Sequence, residues 1–389
     1  MSDKLLKIKQ QTVEIKSLAN GRWPTILALL IPSIRDACDN FNPNKRTGCA
    51  CPFHAAKSNT SFKLLKQGAE VGSAGCFTCG TWSDGFELIM FDRGCSFYDA
   101  VKLVGNELGY YGINGEVDQK NREEANQAQK RWELKKQLQK EQDEVKRVNM
   151  LKKLGEIWSE CFDLESPESL PARLYFANRG LGSVGNLNGE VVFHPALDYY
   201  YKDSNMKYVF HGKFPAIISQ IRNPEGVPVR IHRTYITNDG YKLLAPDHSP
   251  KKMSPEIPFT PITGGSIQLS PAGTKVIGVG EGLETTLAAR VATGMPVNCC
   301  INAQLLSSWL PAAGTEHVFI FLDKDVSGAG YKVALQLKDR LEQFKLKVYL
   351  CFPPLPIKAG DKSVDWANVY NQVGVSGFPI EAINWRKLL

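Results

Sequence analysis

No G-x-x-x-x-G-K-[S/T] segment occurs anywhere in the 389 residues, so the chain carries no P-loop ATPase of its own. Nor does any apolar run approach the roughly 18 residues that a membrane-spanning helix needs. The longest candidate, Thr25 to Ile34, is ten residues and contains Pro32. The first residues, MSDKLLKIKQ, hold charges but neither an apolar stretch nor a small-residue cleavage site, so no secretory signal is expected. No internal repeat is visible. Strong charge bias is absent too: 47 Lys and Arg against 40 Asp and Glu leave +7, which permits a nucleic-acid partner without demanding one. At 43% hydrophobic and 22% charged, the chain is ordinary globular material, long enough for two or three domains of about 150 residues. Membrane, secreted and disordered classes are set aside.

Ten cysteines in this length do not make a disulfide scaffold, and they are unevenly spread. Six lie between Cys38 and Cys95. Cys51-Pro-Phe-His54 and Cys76-Phe-Thr-Cys79 are two pairs, each with two intervening residues, and 21 residues lie between them. Such pairs on two tight turns can close a tetrahedron around zinc, and Gly80 can take the backbone conformation that a knuckle requires. Four protein ligands leave no open position, so the expected zinc is structural, supplying folding energy to a segment too small to fold alone. Cys49 is a rival ligand. Cys38 and Cys95 are expected to be ordinary thiols.

The surrounding sequence sets the expected organisation. Ile26, Leu27, Leu30 and Ile34 give a helical face, bracketed by Pro24 and Pro32. Residues 46 to 92 have the texture of a small domain held by something other than a core. Ser96 starts a helix with Asp99 three residues on, and Phe97, Ala100, Val101, Val104 and Leu108 keep the 3.6 period until Gly109. From Asp118 to Lys153 there is neither Gly nor Pro, and 11 basic and 7 acidic residues accompany a thin stripe of Leu134, Leu138, Val145, Val148 and Leu151. This reads as a long solvated helix joining two domains, either a charged spacer or a nucleic-acid-facing element. Residues 155 to 270 alternate short apolar runs with NG, PEG and NDG turns, as antiparallel strands do. Residues 275 to 353 alternate KVIGVG, VNCCIN, HVFIFLD and KVYLCF with helical stretches, the pattern of a parallel sheet covered by helices.

Two strands of that pattern end in acid. KVIGVG runs into Glu281-Gly282, and HVFIFL runs into Asp323-Lys324-Asp325. Open α/β sheets place ligands at the carboxyl ends of their strands. Residues i and i+2 of an extended segment point the same way, so Asp323 and Asp325 can face one cation, with Lys324 on the other side. Oxygen ligands suit Mg²⁺ or Mn²⁺. Glu284, inside the following helix, reads as a solvent-facing or capping carboxylate. His232 reads as structural, and Cys299 and Cys300 as packing.

The segments CPFHAAKSNTSFKL, CFTCGTWSDGFELIMF and GCSFYDAVKLVGNELG together resemble the zinc-binding domain of bacterial-type DNA primases over about 60 residues. The acidic pattern is similar to the Toprim domain shared by such primases, type IA and II topoisomerases and several nucleases. Asp361 and Asp365, within AGDKSVDWANVY, resemble that domain's later acidic element. GEGLETTLAA, RLYFANRGL, KFPAIISQIRNPEGVPVRIHRTYI and GGSIQL resemble the phage-, plasmid- and satellite-type primases more than the main chromosomal one. The resemblance covers roughly residues 46 to 110 and 170 to 370.

It implies an α+β multidomain chain. A zinc-ribbon domain with helical lead-in would span 1–112, a charged helical linker 113–153, a small α+β part of the catalytic core 154–272, and an α/β Toprim domain with a mostly parallel sheet and a tail 273–389. It implies template-directed nucleotidyl transfer, with short primers, RNA in the first instance, made on single-stranded DNA from nucleoside triphosphates. Asp323 and Asp325 would hold divalent metals, Asp365 would assist, and Glu281 would be a metal ligand or the base. Arg179, Lys213, Arg230 and Arg233 lie in the matching upstream segment and would contact nucleic acid or nucleotide through bidentate or stacking guanidinium contacts and charge. A separate replicative helicase, a mobile genetic element and the cytoplasm of a bacterial host complete the expectation, with no membrane involved. The alternatives are a non-polymerising single-stranded-DNA-binding accessory protein and a Toprim-type nuclease.

Overall fold

A computed structural model describes residues 3–43, 47–55, 58–109, 119–182 and 184–389. The expected boundary at 112/113 lies outside the described residues. The chain divides into two compact units, Met1–Gln142 and Asp143–Leu389.

The first unit opens with helices α1 (Asp3–Ala19), α2 (Trp23–Leu30) and α3 (Arg35–Asp39). A three-stranded antiparallel sheet follows, β1 (Phe62–Leu64), β2 (Ala74–Cys76) and β3 (Gly80–Trp82), with the short helix α4 (Gly68–Val71) between its first two strands. Helices α5 (Gly85–Arg93) and α6 (Phe97–Glu107) complete it. Both are capped as their sequences require: the Asp84 side chain accepts from Glu87 N and the Ser96 hydroxyl from Asp99 N. The expectation of a segment without a core is corrected here. Phe62, Leu64, Trp82, Phe86 and Ile89 pack into one cluster with Trp23, Ile26, Leu27 and Ile34 of the lead-in and Val101 and Val104 of α6. The segment is poor in apolar residues because its neighbours in sequence supply the rest of the core. Trp23 packs edge-on against Phe86 at 4.9 Å, so tightly that a Cβ at Gly85 would stand 2.2 Å from the indole.

The charged stretch is a single 41-residue helix, α7 (Gln119–Ser159), and the division between the units falls within it. Leu134, Leu138, Val145 and Val148 are all exposed on it, as a helix without a wide apolar face must be.

The second unit contains two large sheets. Strands β4 (Phe162–Asp163), β5 (Val191–Lys202), β6 (Tyr208–Arg222), β7 (Pro228–Tyr235) and β8 (Lys251–Met253) form an antiparallel sheet in that order, with helix α8 (Leu170–Asn178) inserted after β4. The other sheet is parallel, ordered β10-β9-β11-β13, from β9 (Val276–Gly280), β10 (Val297–Cys299), β11 (His317–Phe321) and β13 (Lys347–Cys351). The buried apolar runs of β9, β10 and β11 are what strands covered on both faces need, while β13 at the edge is only partly buried. Alternate residues serve two cores. Val276, Phe319 and Phe321 pack with α9 (Leu283–Thr293) and α12 (Trp366–Val373), while Ile277, Val279, Val318 and Ile320 pack with α10 (Ala303–Ser308) and α11 (Ala329–Gln343). A short ladder, β12 (Lys324–Asp325) with β14 (Ser363–Val364), lies outside the parallel sheet, and α13 (Ile380–Ile383) comes near the end. Tyr175, Phe176, Ile217 and Ile221 of the antiparallel half share the first of these cores, so the two sheets are packed as one body.

Candidate functional site

Cys51, His54, Cys76 and Cys79 converge, their ligand atoms all within 4.8 Å of one another. Cys51 Sγ lies 3.8 Å from Cys79 Sγ, and His54 Nδ1 lies 3.2 Å from Cys79 Sγ and 3.8 Å from Cys76 Sγ. Two sulfurs bound to one zinc at about 2.3 Å stand about 3.8 Å apart in a tetrahedron, so the donor set fits that ion. The knuckle geometry helps. Although burial opposes it, the Cys76 thiol is lowered by the backbone N–H groups of Cys79 and Thr78 that point at its sulfur. Cys49 is outside the cluster. Its backbone instead bridges to Phe62, extending the small sheet.

The acidic site grows from the parallel sheet. Gly280 and Phe321 are register partners at the carboxyl ends of β9 and β11, so Glu281 and Asp323 follow one and two residues beyond the paired ends of the sheet. Gly280 has to be small, because a Cβ there would come 2.6 Å from the Thr286 hydroxyl. Burial pushes Asp323 up to about 7; Asp365, Glu281 and Glu284 add to this and the Thr285 hydroxyl, 3.0 Å away, opposes it. Glu281 is also raised, by burial and by Asp325. Glu281, Asp323, Asp325 and Asp365 therefore feel one another's charge.

The alternation that would aim Asp323 and Asp325 at one point presumes one continuous strand. The chain instead leaves the sheet at Phe321 and pairs again at Lys324–Asp325 with β14. Asp325 accepts from the Ser327 hydroxyl and, at 3.0 Å, from Gly330 N, while Lys324 donates to the Leu355 carbonyl. Among the described residues, no three acidic groups bring oxygens within 4.8 Å of one another. Asp365 is also the N-cap of α12, in a reciprocal capping box with Asn368. Asp361 lies in an exposed turn. These oxygen-only groups, with one carboxyl raised by burial and then by its neighbours, fit a divalent cation that would offset their repulsion.

The four candidate cations do not converge. Arg179 ends α8 beside the acidic site: its guanidinium is 5.5 Å from the Tyr175 ring centre, and its carbonyl accepts from Asn371 of α12 at 2.8 Å. Lys213 stands on β6, 3.8 Å from Asp198. Arg230 and Arg233 are three residues apart on β7, an odd offset, and so occupy opposite faces. Arg230 reaches Glu256 at 3.5 Å and Arg233 donates to the Met253 carbonyl at 3.3 Å.

Glu284 corrects the sequence reading outright. It is 7% exposed. Tyr175 donates to it at 2.5 Å and Lys251 Nζ to both of its oxygens at 2.8 Å. Burial would raise it, yet these partners hold it down at about 2. It ties α8 and β8 to the first turn of α9, next to the Thr285 that bonds Asp323. The signal was present: Leu283–Thr293 carries apolar or small residues on every side, so its one carboxylate had to be buried and paired. Lys242 was also missed. Burial and the charges of Lys251 and Arg179 lower it, while Glu284 and Asp365 oppose this, so it stands between the acids and the cations. His232 is buried as expected; burial, Lys251 and Arg233 push it down to about 4.

Residues 276–376 match the family model of the Toprim domain, and residues 149–262 match that of a domain of unknown function, DUF7146. The chain is thus a mixed α/β multidomain protein with a Toprim domain and a Cys/His cluster able to hold zinc. No curated protein matches it. Among solved structures, it is similar to the Aquifex aeolicus primase comprising zinc-binding and RNA polymerase domains, at 16% identity over 93% of this chain and 84% of that one, with a TM-score of 0.39. It is also similar to a DnaG primase catalytic domain bound to ssDNA, at 14% identity over 64% and 86%, TM-score 0.41. A DNA primase domain from Pseudomonas aeruginosa aligns at 16% identity over 58% and 73%, TM-score 0.38. Among the described residues, no helix is long and apolar enough to cross a membrane.

Proposed function

We propose that this protein is a DNA primase that makes short primers, RNA in the first instance, on single-stranded DNA for a mobile genetic element. One observation carries the reading: Glu281, Asp323 and Asp325 gather beyond the carboxyl ends of β9 and β11, inside the segment that matches the Toprim model. The Cys51-His54-Cys76-Cys79 cluster supports it, because its flanking sequence resembles the zinc-binding domain of primases.

The reaction is nucleotidyl transfer. A 3′-hydroxyl attacks the α-phosphate of a nucleoside triphosphate, the new P–O bond forms, and pyrophosphate leaves. Mg²⁺ or Mn²⁺, held by Asp323 and Asp325, would supply charge neutralisation at the phosphates, with Glu281 either a further ligand or the base. Glu281, its carboxyl raised by burial and by Asp325, is suited to take the proton of the attacking hydroxyl. Asp365 adds negative charge at Asp323 and fixes the start of α12. Arg179 and Lys242, beside Asp365, are the cations suited to the triphosphate. Arg230, Arg233 and Lys213 would contact the nucleic-acid backbone separately rather than grip one phosphate. Zinc on the Cys/His cluster is structural. A separate helicase would open the duplex, in the cytoplasm of a bacterial host.

The test is incubation with circular single-stranded DNA, labelled nucleoside triphosphates and Mg²⁺ or Mn²⁺. Short labelled strands on intact circles are expected. Nicked circles without synthesis would assign the carboxylates to a nuclease. Binding with neither product would leave an accessory protein.

A further inference from the structure

Strands β5 and β6 are far longer than the sheet they belong to. β4 pairs with β5 only at Val192 and Phe193, and β7 pairs with β6 only from Ala216 to Arg222. From Leu197 to Phe214 the two strands pair with each other alone, after one register shift before Leu197 and through a second between Tyr199 and Tyr200, and form a two-stranded arm. One face of the arm is buried at its base: Tyr199 packs on Tyr235 at 4.7 Å, and His211 and Phe214 stack beside it.

The opposite face carries exposed rings. Tyr200 pairs with Phe210, and Lys202 with Tyr208, so all four side chains project the same way. Tyr200 is 43% exposed, Phe210 52%, Tyr208 73%, and Met206 at the tip 68%. Tyr200 and Phe210 lean on each other at 5.4 Å, and Lys202 Nζ stands 5.2 Å from the Tyr208 ring centre. The arm's carboxylates are occupied. Asp203 Oδ1 accepts from Asn205 N and Lys207 N at 2.9 Å each, and Asp198 faces Lys213. Among the described residues, neither Lys202 nor Lys207 has a carboxylate partner. By the same alternation Lys207, next to Tyr208, falls on the other side, so the exposed stripe is aromatic with Lys202 as its cation.

We infer that this face is a stacking platform for single-stranded nucleic acid, separate from the carboxylate site. Rings on a pleated face with a lysine beside them offer what a single strand needs: flat surfaces for unpaired bases and positive charge for the phosphates. Phe210 and Tyr208, two residues apart, are spaced by roughly 6.8 Å along the strand, which leaves room for a base against each ring. A duplex, with its bases already stacked, gains nothing from these rings. A purely apolar protein partner would leave Lys202 desolvated without counter-charge. The inference deepens the primase reading, since it assigns where the strand is gripped away from the chemistry, but its tests do not require synthesis.

Fluorescence anisotropy of a labelled oligo(dT), an abasic strand of equal length and a duplex tests it on the full chain. The wild type should prefer oligo(dT) over the abasic strand by about tenfold or more, the effect of stacking one or two bases. Y200T/Y208T/F210T keeps residues that favour strands and should erase that preference. K202Q should flatten the salt dependence by about 0.7 in log–log slope. Ultraviolet cross-linking of the unaltered protein to the same strand, mapped by mass spectrometry, should mark residues 199–211 and does not depend on any variant folding. Cross-links confined elsewhere, or a triple variant that is folded by circular dichroism and still binds like the wild type, would overturn the platform while leaving the primase reading intact. Primer synthesis that is absent while the base-dependent binding persists would overturn the primase reading and leave the platform.

Discussion

Glu284 keeps its charge where a lone carboxylate would be neutral. Removing it by Glu284→Ala leaves the buried Tyr175 hydroxyl and the half-buried Lys251 without their partner and should cost about 1–3 kcal/mol in urea unfolding of the second unit. Replacing both ends with Met, as E284M/K251M, should recover most of that, because no charge is then left unpaired. The pH sign follows from the direction of the shift. The folded carboxyl sits at about 2, below its ordinary 4.5, so its stabilisation is complete above pH 4.5 and is lost as pH falls toward 2. Asp323 behaves oppositely. Its carboxyl is raised from 3.8 to about 7, so ionising it in the folded protein destabilises the metal-free chain increasingly between pH 4 and 7 and no further above that. A divalent cation should reverse this penalty. Mn²⁺ binding followed by calorimetry should weaken by up to about tenfold per pH unit below pH 7, with proton uptake on release; an affinity flat from pH 5 to 8 would remove Asp323 from the metal site.

Elements differ in how plainly they were written. The parallel sheet was legible because KVIGVG, HVFIFL and KVYLCF are uninterrupted apolar runs, and only a doubly covered strand wants that. The zinc knuckle was legible because paired Cys and His at two-residue spacing have few other uses. The core of the first unit was not, since its apolar residues come from helices on both sides of the Cys-rich segment. Arg230 and Arg233 were grouped by their place in the matching upstream segment, and the odd spacing that puts them on opposite faces was there to be counted. Asp325 depended on where β11 stops, which periodicity does not fix. The same contrast gives a prediction. Cys79→Ser removes a zinc ligand but not the Trp23–Phe86 core. Bound zinc should be lost and the melting temperature of the first unit should fall by roughly 10 °C or more, while its helical circular dichroism remains at low temperature. Zinc retained at one equivalent would assign the fourth ligand elsewhere, Cys49 being the next thiol to replace.

At the scale of the whole molecule, each unit has its own hydrophobic clusters, and each proposed metal centre lies within a single unit. Zinc loss and carboxylate loss should therefore be separable: Cys79→Ser should leave Mn²⁺ binding at the acidic site within about twofold, and Asp323→Ala should leave one zinc per chain. The account depends on the acidic site being a centre of nucleotidyl transfer. The measurement that bears on it most directly is primer synthesis on a mixed-sequence single-stranded template with labelled nucleoside triphosphates and Mg²⁺ or Mn²⁺, comparing wild type with Asp323→Ala at equal zinc content. Short labelled products from the wild type, falling by about a thousandfold in the variant, are the predicted result. Equal synthesis by both proteins would contradict the assignment of the chemistry to this site, and no synthesis by the wild type across templates and both metals would contradict the proposed function.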